Sequence, residues 1–331
     1  MAERASRPSP PESVRVSAPG KINPWLDVLG KRADGYHEVE TYLVAIDLCD
    51  LVTVTRATRE ARAERADVAL RVSGPCASPD IPLDGRNLAV RAAEAVLARA
   101  RASHGLDPAI VLDVHLEKRV PSQAGLGGAS ADAAAAWTGA TAVLGLDARL
   151  EDACADLAAM GSDTVFFAAA AETGTAWCRG RGEIVLPDRA MEHRWSIALV
   201  TPAVGAPTAA VYAALGMSLR GVAPVPTVRR VDWSKTSAHD ARFLLGNRLE
   251  PAALAAVGEL ARWRRVLDEA GAAHFRLSGS GSSFFGLYEN DADARSGLDR
   301  IAAAARAEGL ASRVCDVVHP CGHGARLLRI P

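Results

Sequence analysis

The residues best suited to chemistry lie in the stretch from Pro121 to Trp137, PSQAGLGGASADAAAAW. Gly125, Gly127, Gly128 and Ala129 crowd around Leu126, so the backbone there can take positive φ angles and approach a ligand with little side chain in the way. Ser130 is a good N-cap, and Ala131 to Trp137 is strongly helix-forming. The loop then delivers free N–H groups at a helix N-terminus, where anions are favoured, and it reads as a cradle for phosphate. The rival is a flexible loop before a helix. Two more residues stand out by position. Asp163 falls between a helix stop at Gly161 and the apolar run TVFF, where a carboxylate is either an N-cap or Asx-turn acid or a functional group. Lys21 sits just past the end of the first strand, after Pro19 and Gly20, where the residues alone read as a solvated turn lysine.

Two nucleotide-binding motifs can be tested on the loop. A P-loop needs GxxxxGK[ST], but Gly20-Lys21 is followed by Ile22 and has no glycine five residues earlier. A dinucleotide fingerprint needs GxGxxG; Gly125 and Gly127 match, but Ser130 replaces the third glycine and no clear run of βαβ repeats surrounds it. The second remains open as an oxidoreductase alternative. Cys315, His319, Cys321 and His323 share parity, so an extended strand would place them on one face as metal ligands; Pro320 and Gly322 spoil that strand.

The elements that must position these residues follow from composition and periodicity. A chain of 331 residues, 49% hydrophobic and 23% charged, can bury a sizeable core and is expected to form two domains. A formal net charge of −1, with no basic run interleaved with aromatics, excludes the footprint of a nucleic-acid binder, so a bound anion should be small. The N-terminus lacks the apolar core of about 7–15 residues found in signal peptides, and no window approaches ~20 apolar residues, so a cytoplasmic protein without a membrane segment is expected. Scattered cysteines without CxxC fit reduced thiols.

A Pro- and Ser-rich tail over 1–13 is expected to be disordered, then a strand over Val14 to Ala18, a tight turn at RADGYH and a strand from Leu48 to Arg56. A strand fragment at Val68 to Val72, a helix over Leu88 to Ala102 and a half-buried strand over Ile110 to Glu117 lead into the glycine loop. Beyond it come a helix from Leu150, a strand at 195–202, a short helix near Ala209 to Leu215 and a long exposed insertion over 218–240. A helix from Pro251 to Gly271, the strand–turn–strand HFRLSGSGSSFFGLY, a helix ending at Gly309 and a strand near Arg313 to Val318 suit a small α+β domain.

Three stretches, APGKIN, PSQAGLGGASADAA and RLSGSGSSFF, resemble in order the three signature motifs of the GHMP kinase superfamily. Within it, GKRADGYHEVET, Asn87-Leu88, RGRGE and APTAAVY resemble the 4-diphosphocytidyl-2-C-methyl-D-erythritol kinase branch. The resemblance implies an α+β, two-domain GHMP kinase fold, with an ATP-binding domain over 14–188, a second domain over 189–331 and the active site in the cleft between them. It implies ATP-dependent phosphorylation of a hydroxyl on the methylerythritol moiety, the 2-hydroxyl, in isoprenoid precursor synthesis. Lys21 and Asp163 match the catalytic lysine and aspartate. ATP would be held by Asn87, Pro121, Gly125, Leu126, Gly127, Gly128, Ala129 and Ser130, with a Mg2+ contact at Ser130. Substrate would meet Asn23, Tyr36, His37, Thr208, Tyr212, Gly279, Ser280 and Gly281, with Tyr36, His37 and Tyr212 around the cytosine. The partner is a small molecule, acting on a monomer or homodimer. The chain departs from the pattern at Pro24, at Ala131 where a second serine is usual, and at Thr164-Val165 where the pattern has Val-Pro. A GHMP kinase for another alcohol, and a GHMP-fold protein that binds a metabolite without turnover, are the alternatives.

Overall fold

The computed structural model of the chain describes residues 9–61, 66–218 and 231–328. Most of the tail expected to be disordered, and 219–230 of the expected insertion, lie outside the described residues.

The first strand does not end at Ala18. It runs Ser13–Lys31 (β1) and pairs antiparallel with β2, His37–Thr58, through the RADGYH turn. Pro19, Gly20 and Pro24 are tolerated because the ladder slips around them, with register shifts between Pro19 and Gly20 and between Ile22 and Trp25. A bulge accommodates a residue that has no N–H to give, and re-aims the side chains beside it. Lys21 is therefore no turn lysine: it sits inside the sheet, between two bulges.

β3 (Val68–Ser73), α1 (Leu88–His104) and β4 (Ile110–Glu117) follow as periodicity indicated. The helix after the glycine loop, α2 (Gly128–Val143), starts earlier than expected. Its N-cap is Gly127, at φ 70, so Ser130 is the third helical residue and not the cap. α2 is rich in small residues and buried on nearly every side. At Gly139 a Cβ would come within 2.6 Å of Val54, so small side chains set how closely this helix lies on the sheet. α3 (Leu150–Ala158), α4 (Thr164–Ala169) and a hairpin of β5 (Thr175–Gly180) and β6 (Ile184–Pro187) complete this half. The hairpin was not anticipated, since its outer strand is exposed and lacks a clean alternation.

The remaining elements are β7 (Ser196–Pro202), α5 (Thr208–Ser218), α6 (Ala238–Ala241), β8 (Gly246–Asn247), α7 (Glu250–Ala256), α8 (Gly258–Glu269), β9 (Arg276–Leu277), β10 (Phe284–Tyr288), α9 (Asp291–Ala307), β11 (Ser312–Val318) and β12 (Arg326–Leu328). One helix expected over 251–271 is two, broken at Val257 (φ −128, ψ 93), where a β-branched residue precedes a glycine.

The first sheet has the order β12-β1-β2-β4-β3, with β5 and β6 continuing from β2 and β8 lying parallel to β1. The second has the order β11-β7-β10-β9. One core lies under the first sheet with α1 and α2, and another under the second sheet with α5, α7, α8 and α9. A third, with Ile22, Trp25, Tyr42, Trp195, Trp233 and Phe285, joins the sheets. Trp233 is fully buried and stacks on Tyr42 at 5.5 Å, so this part of the expected exposed insertion is interior.

The Cys315, His319, Cys321, His323 stretch does not converge. Cys315 packs on the second core, the His319 ring lies between Asp47 and Asp291, and Cys321 gives its thiol to the His323 carbonyl. Among the described residues, no three His, Cys, Asp or Glu side chains gather to hold a metal, and no helix is long and apolar enough to cross a membrane.

Candidate active site

Lys21 is 3% exposed, carried into the interior by the bulged strand. Its ammonium donates to Asn23 Oδ1 at 2.7 Å and to the Gly125 carbonyl at 2.7 Å, and lies 3.5 Å from Asp163 Oδ2. Burial holds the Lys21 ammonium below its ordinary range, against the pull of Asp163. Asp163 precedes α4 and makes no side-chain cap there, so the bland role open to it is not the one it plays. Its side chain stays 31% exposed, open enough for a ligand to reach. Two residues separated by 142 positions thus meet: a buried ammonium and a reachable carboxylate.

The loop between them is shaped from both sides. Gly125 (φ 73) packs against the second sheet's turn: a Cβ there would fall 2.0 Å from the Ser278 carbonyl oxygen. The glycine is needed for contact within the chain, and only indirectly for a ligand. At Gly127 (φ 70) a Cβ would meet the Lys21 side chain at 3.1 Å, so this glycine clears space for the lysine. The first N–H groups of α2, at Gly128 and Ala129, have no intrahelical partner by helix geometry, and both residues line the cavity. A helix start of this kind is a geometry that favours an anion.

The cavity has a volume of about 520 Å³ and is walled by both halves of the chain. From the second come Thr208, Tyr212 and Gly279 to Gly281, with Thr208 and Ser280 joined by their hydroxyls at 3.0 Å. Burial and the Asp163 charge push the Tyr212 hydroxyl up to about 12, which sets this ring near the carboxylate. Asn23, Pro121, Leu126, Ser130 and Asn87 line the cavity too. The Asn87 side chain is engaged in capping α1 and in holding the Pro82 carbonyl. Tyr36 and His37 do not line the cavity: His37 stacks on Tyr212 at 4.8 Å, and the exposed Tyr36 lies under Arg181.

Sequence reasoning missed several residues here. Lys118 joins Asp50 and Asp132 in a buried cluster beneath the loop, and Asp50 also accepts the Val120 N–H at 2.8 Å. The only sequence signal was their place on either side of the glycines. Asn247 donates to the Leu277 and Gly279 carbonyls, both at 2.7 Å, and so fixes the SGSG turn; nothing local marked it. Arg181 was quoted only as part of a motif, yet it lines the cavity.

Comparison with known proteins agrees with this geometry. The GHMP kinases N-terminal domain matches residues 87–171, and the GHMP kinases C-terminal region matches residues 232–307. The chain is 33% identical over 290 residues to 4-diphosphocytidyl-2-C-methyl-D-erythritol kinase of Geobacter metallireducens, covering 88% of this chain and 94% of that protein. It superposes on a crystal structure of 4-(cytidine 5'-diphospho)-2C-methyl-D-erythritol kinase with a TM-score of 0.66 at 28% identity, covering 93% of this chain and all of that one. It shares its fold with L. major mevalonate kinase, at a TM-score of 0.64 and 16% identity over 92% of this chain and 95% of that one. The α+β architecture is the GHMP kinase fold, and the chain belongs to the GHMP kinases, a family of small-molecule phosphotransferases.

Proposed function

We propose that the chain transfers the γ-phosphoryl group of ATP to the 2-hydroxyl of 4-diphosphocytidyl-2-C-methyl-D-erythritol. The observation that carries this is the meeting of Lys21 and Asp163 in one cavity with the glycine loop and the second-half wall of Thr208 and Tyr212. The printed names of relatives matched over most of the chain support the choice of alcohol.

Phosphoryl transfer needs positioning and charge neutralisation more than covalent help. The Asp163 carboxylate accepts the hydroxyl proton as the oxygen attacks the γ-phosphorus; the new O–P bond forms, the bridging O–P bond breaks, and ADP leaves. The Lys21 ammonium, fixed by Asn23 and the Gly125 carbonyl, adds positive charge beside the transferring group without reorganising. The helix start at Gly128 and Ala129 receives phosphate oxygens. Magnesium would neutralise charge on the phosphates, and Ser130 Oγ is a hard oxygen donor suited to it in the cavity lining.

The test is an ADP-release assay offering the cytidine-linked substrate and, separately, mevalonate. ADP release with the first only is expected. Release with mevalonate alone would leave a GHMP kinase for another alcohol, and ligand binding without any release would leave a silent sensor.

A further inference from the structure

Among the described residues, four cationic side chains line the cavity: Lys21, Arg86, Lys118 and Arg181. Three have their N–H donors engaged within the chain. Lys21 serves Asn23, Gly125 and Asp163; Lys118 is held by Asp50 and Asp132; Arg86 forms a fork with Asp84, at 2.9 and 3.0 Å. Arg181 differs. Its Nε stands 3.5 Å from Glu183 Oε1, and its Nη2 makes one bond of 3.3 Å to the Ala158 carbonyl. The guanidinium also lies 4.9 Å from the centre of the Tyr36 ring, a contact that uses no N–H donor. A guanidinium carries five donors, so most of this one's capacity faces no acceptor among the described residues.

The turn that carries Arg181 is held in place. Arg181 tops the β5–β6 hairpin between two glycines at φ 74 and φ 119, and its own N–H donates to Glu183 Oε2. A Cβ at Gly182 would stand 3.3 Å from Ser162, so the turn rests on the residue that precedes Asp163. The guanidinium therefore sits beside Tyr36 while its turn is packed against the Ser162–Asp163 segment.

We propose that Arg181 is a specificity-determining residue that grips the diphosphate linkage of the substrate; this rests on the function proposed above. In that substrate the diphosphate joins the base to the alcohol, and Arg181 lines the same cavity as Asp163, its turn packed on the Ser162 that precedes that carboxylate. Its planar fork matches two phosphate oxygens at once, which a point charge does not.

The experiment measures binding of cytidine 5'-diphosphate and of cytidine by calorimetry to the wild-type chain and to Arg181→Met and Arg181→Gln, and the KM for ATP in the same proteins. The wild-type chain is expected to prefer the diphosphate by about tenfold or more, the value of a charge-assisted hydrogen bond or two. Both variants should bind the two ligands alike and keep the wild-type KM for ATP. A diphosphate preference that survives in a variant with wild-type thermal melting overturns the assignment, and so does a loss confined to ATP. If Arg181→Met fails to fold, Arg181→Gln decides by the same readings. A wild-type chain that binds neither ligand, and turns over no cytidine-linked alcohol, sinks the substrate reading and this proposal with it. Turnover of that alcohol with the preference unchanged in the variants removes Arg181 alone.

Discussion

Lys21 and Lys118 are both buried, 3% and 4% exposed, and 97 positions apart on neighbouring parts of one cavity, yet their surroundings act on them in opposite senses. Burial lowers both. At Lys21 it wins, because only one carboxylate is near, at 3.5 Å, and the other partners are neutral oxygens. At Lys118 the charges of Asp132 and Asp50 outweigh it, and the ammonium is held above its ordinary range. What differs is how much of each charge is spent. Lys118 is neutralised by the chain and ties the Val120 end of the loop to α2, whereas Lys21 keeps part of its field for a ligand's anion.

The largest test of this contrast is Lys118→Met. Removing one partner of a buried ion cluster leaves Asp50 and Asp132 uncompensated, at a cost of about 3–5 kcal/mol of stability. Denaturant unfolding should show that loss. Lys21→Met should show almost none, since it removes a desolvated ammonium and leaves Asp163 partly solvated. A chain destabilised equally by both changes would erase the distinction.

Asp163→Asn comes next. A positioned base contributes about 100-fold or more, and an amide cannot accept the proton, so kcat should fall by at least that factor with ATP affinity kept. Near wild-type turnover would move the base elsewhere. A smaller loss is expected from Tyr212→Ala, about 1–3 kcal/mol of substrate binding for one stacking ring, read as a raised KM for the alcohol with that for ATP unmoved.

The smallest effect is a pH slope. A lysine with a lowered folded-state pKa binds fewer protons in the native than in the unfolded chain between that pKa and 10.5, so stability rises with pH across the window. Lys118, with a raised pKa, contributes stability that is complete below 10.5 and is lost as pH climbs through its higher value. Thermal melts of Lys21→Met against wild type, taken in the alkaline range below 10.5, should lose the rising component. Parallel curves would show that Lys21 titrates alike folded and unfolded.

The glycine loop and the Asp163 segment were legible because each carries its own local chemistry: glycines at positive φ before a helix of small residues, and an acid beside an apolar run. Element order followed from periodicity in most places, including β4 from Ile110 to Glu117 and α1 opened by its Asn87 cap. Where the expectations failed, the competing force was tertiary. Pro19 and Gly20 signal a strand end, but the partner strand β2 holds the ladder across them by a slip in register. Ser130 is a good cap by type, yet Gly127 takes the cap because the loop must clear Lys21.

The sequence by itself marked two charged residues to suspect, a glycine loop suited to phosphate and the family the chain belongs to, because motifs along the chain survive in any conformation. Only the tertiary structure decided what their charges do. Asp163 reaches Lys21 across 142 positions, Lys118 finds two carboxylates from different elements, and the Gly125 carbonyl accepts from the hydroxyl of Ser278, 153 residues away. Burial and distance set the sign of each effect, and neither is a property of a residue's neighbours in sequence.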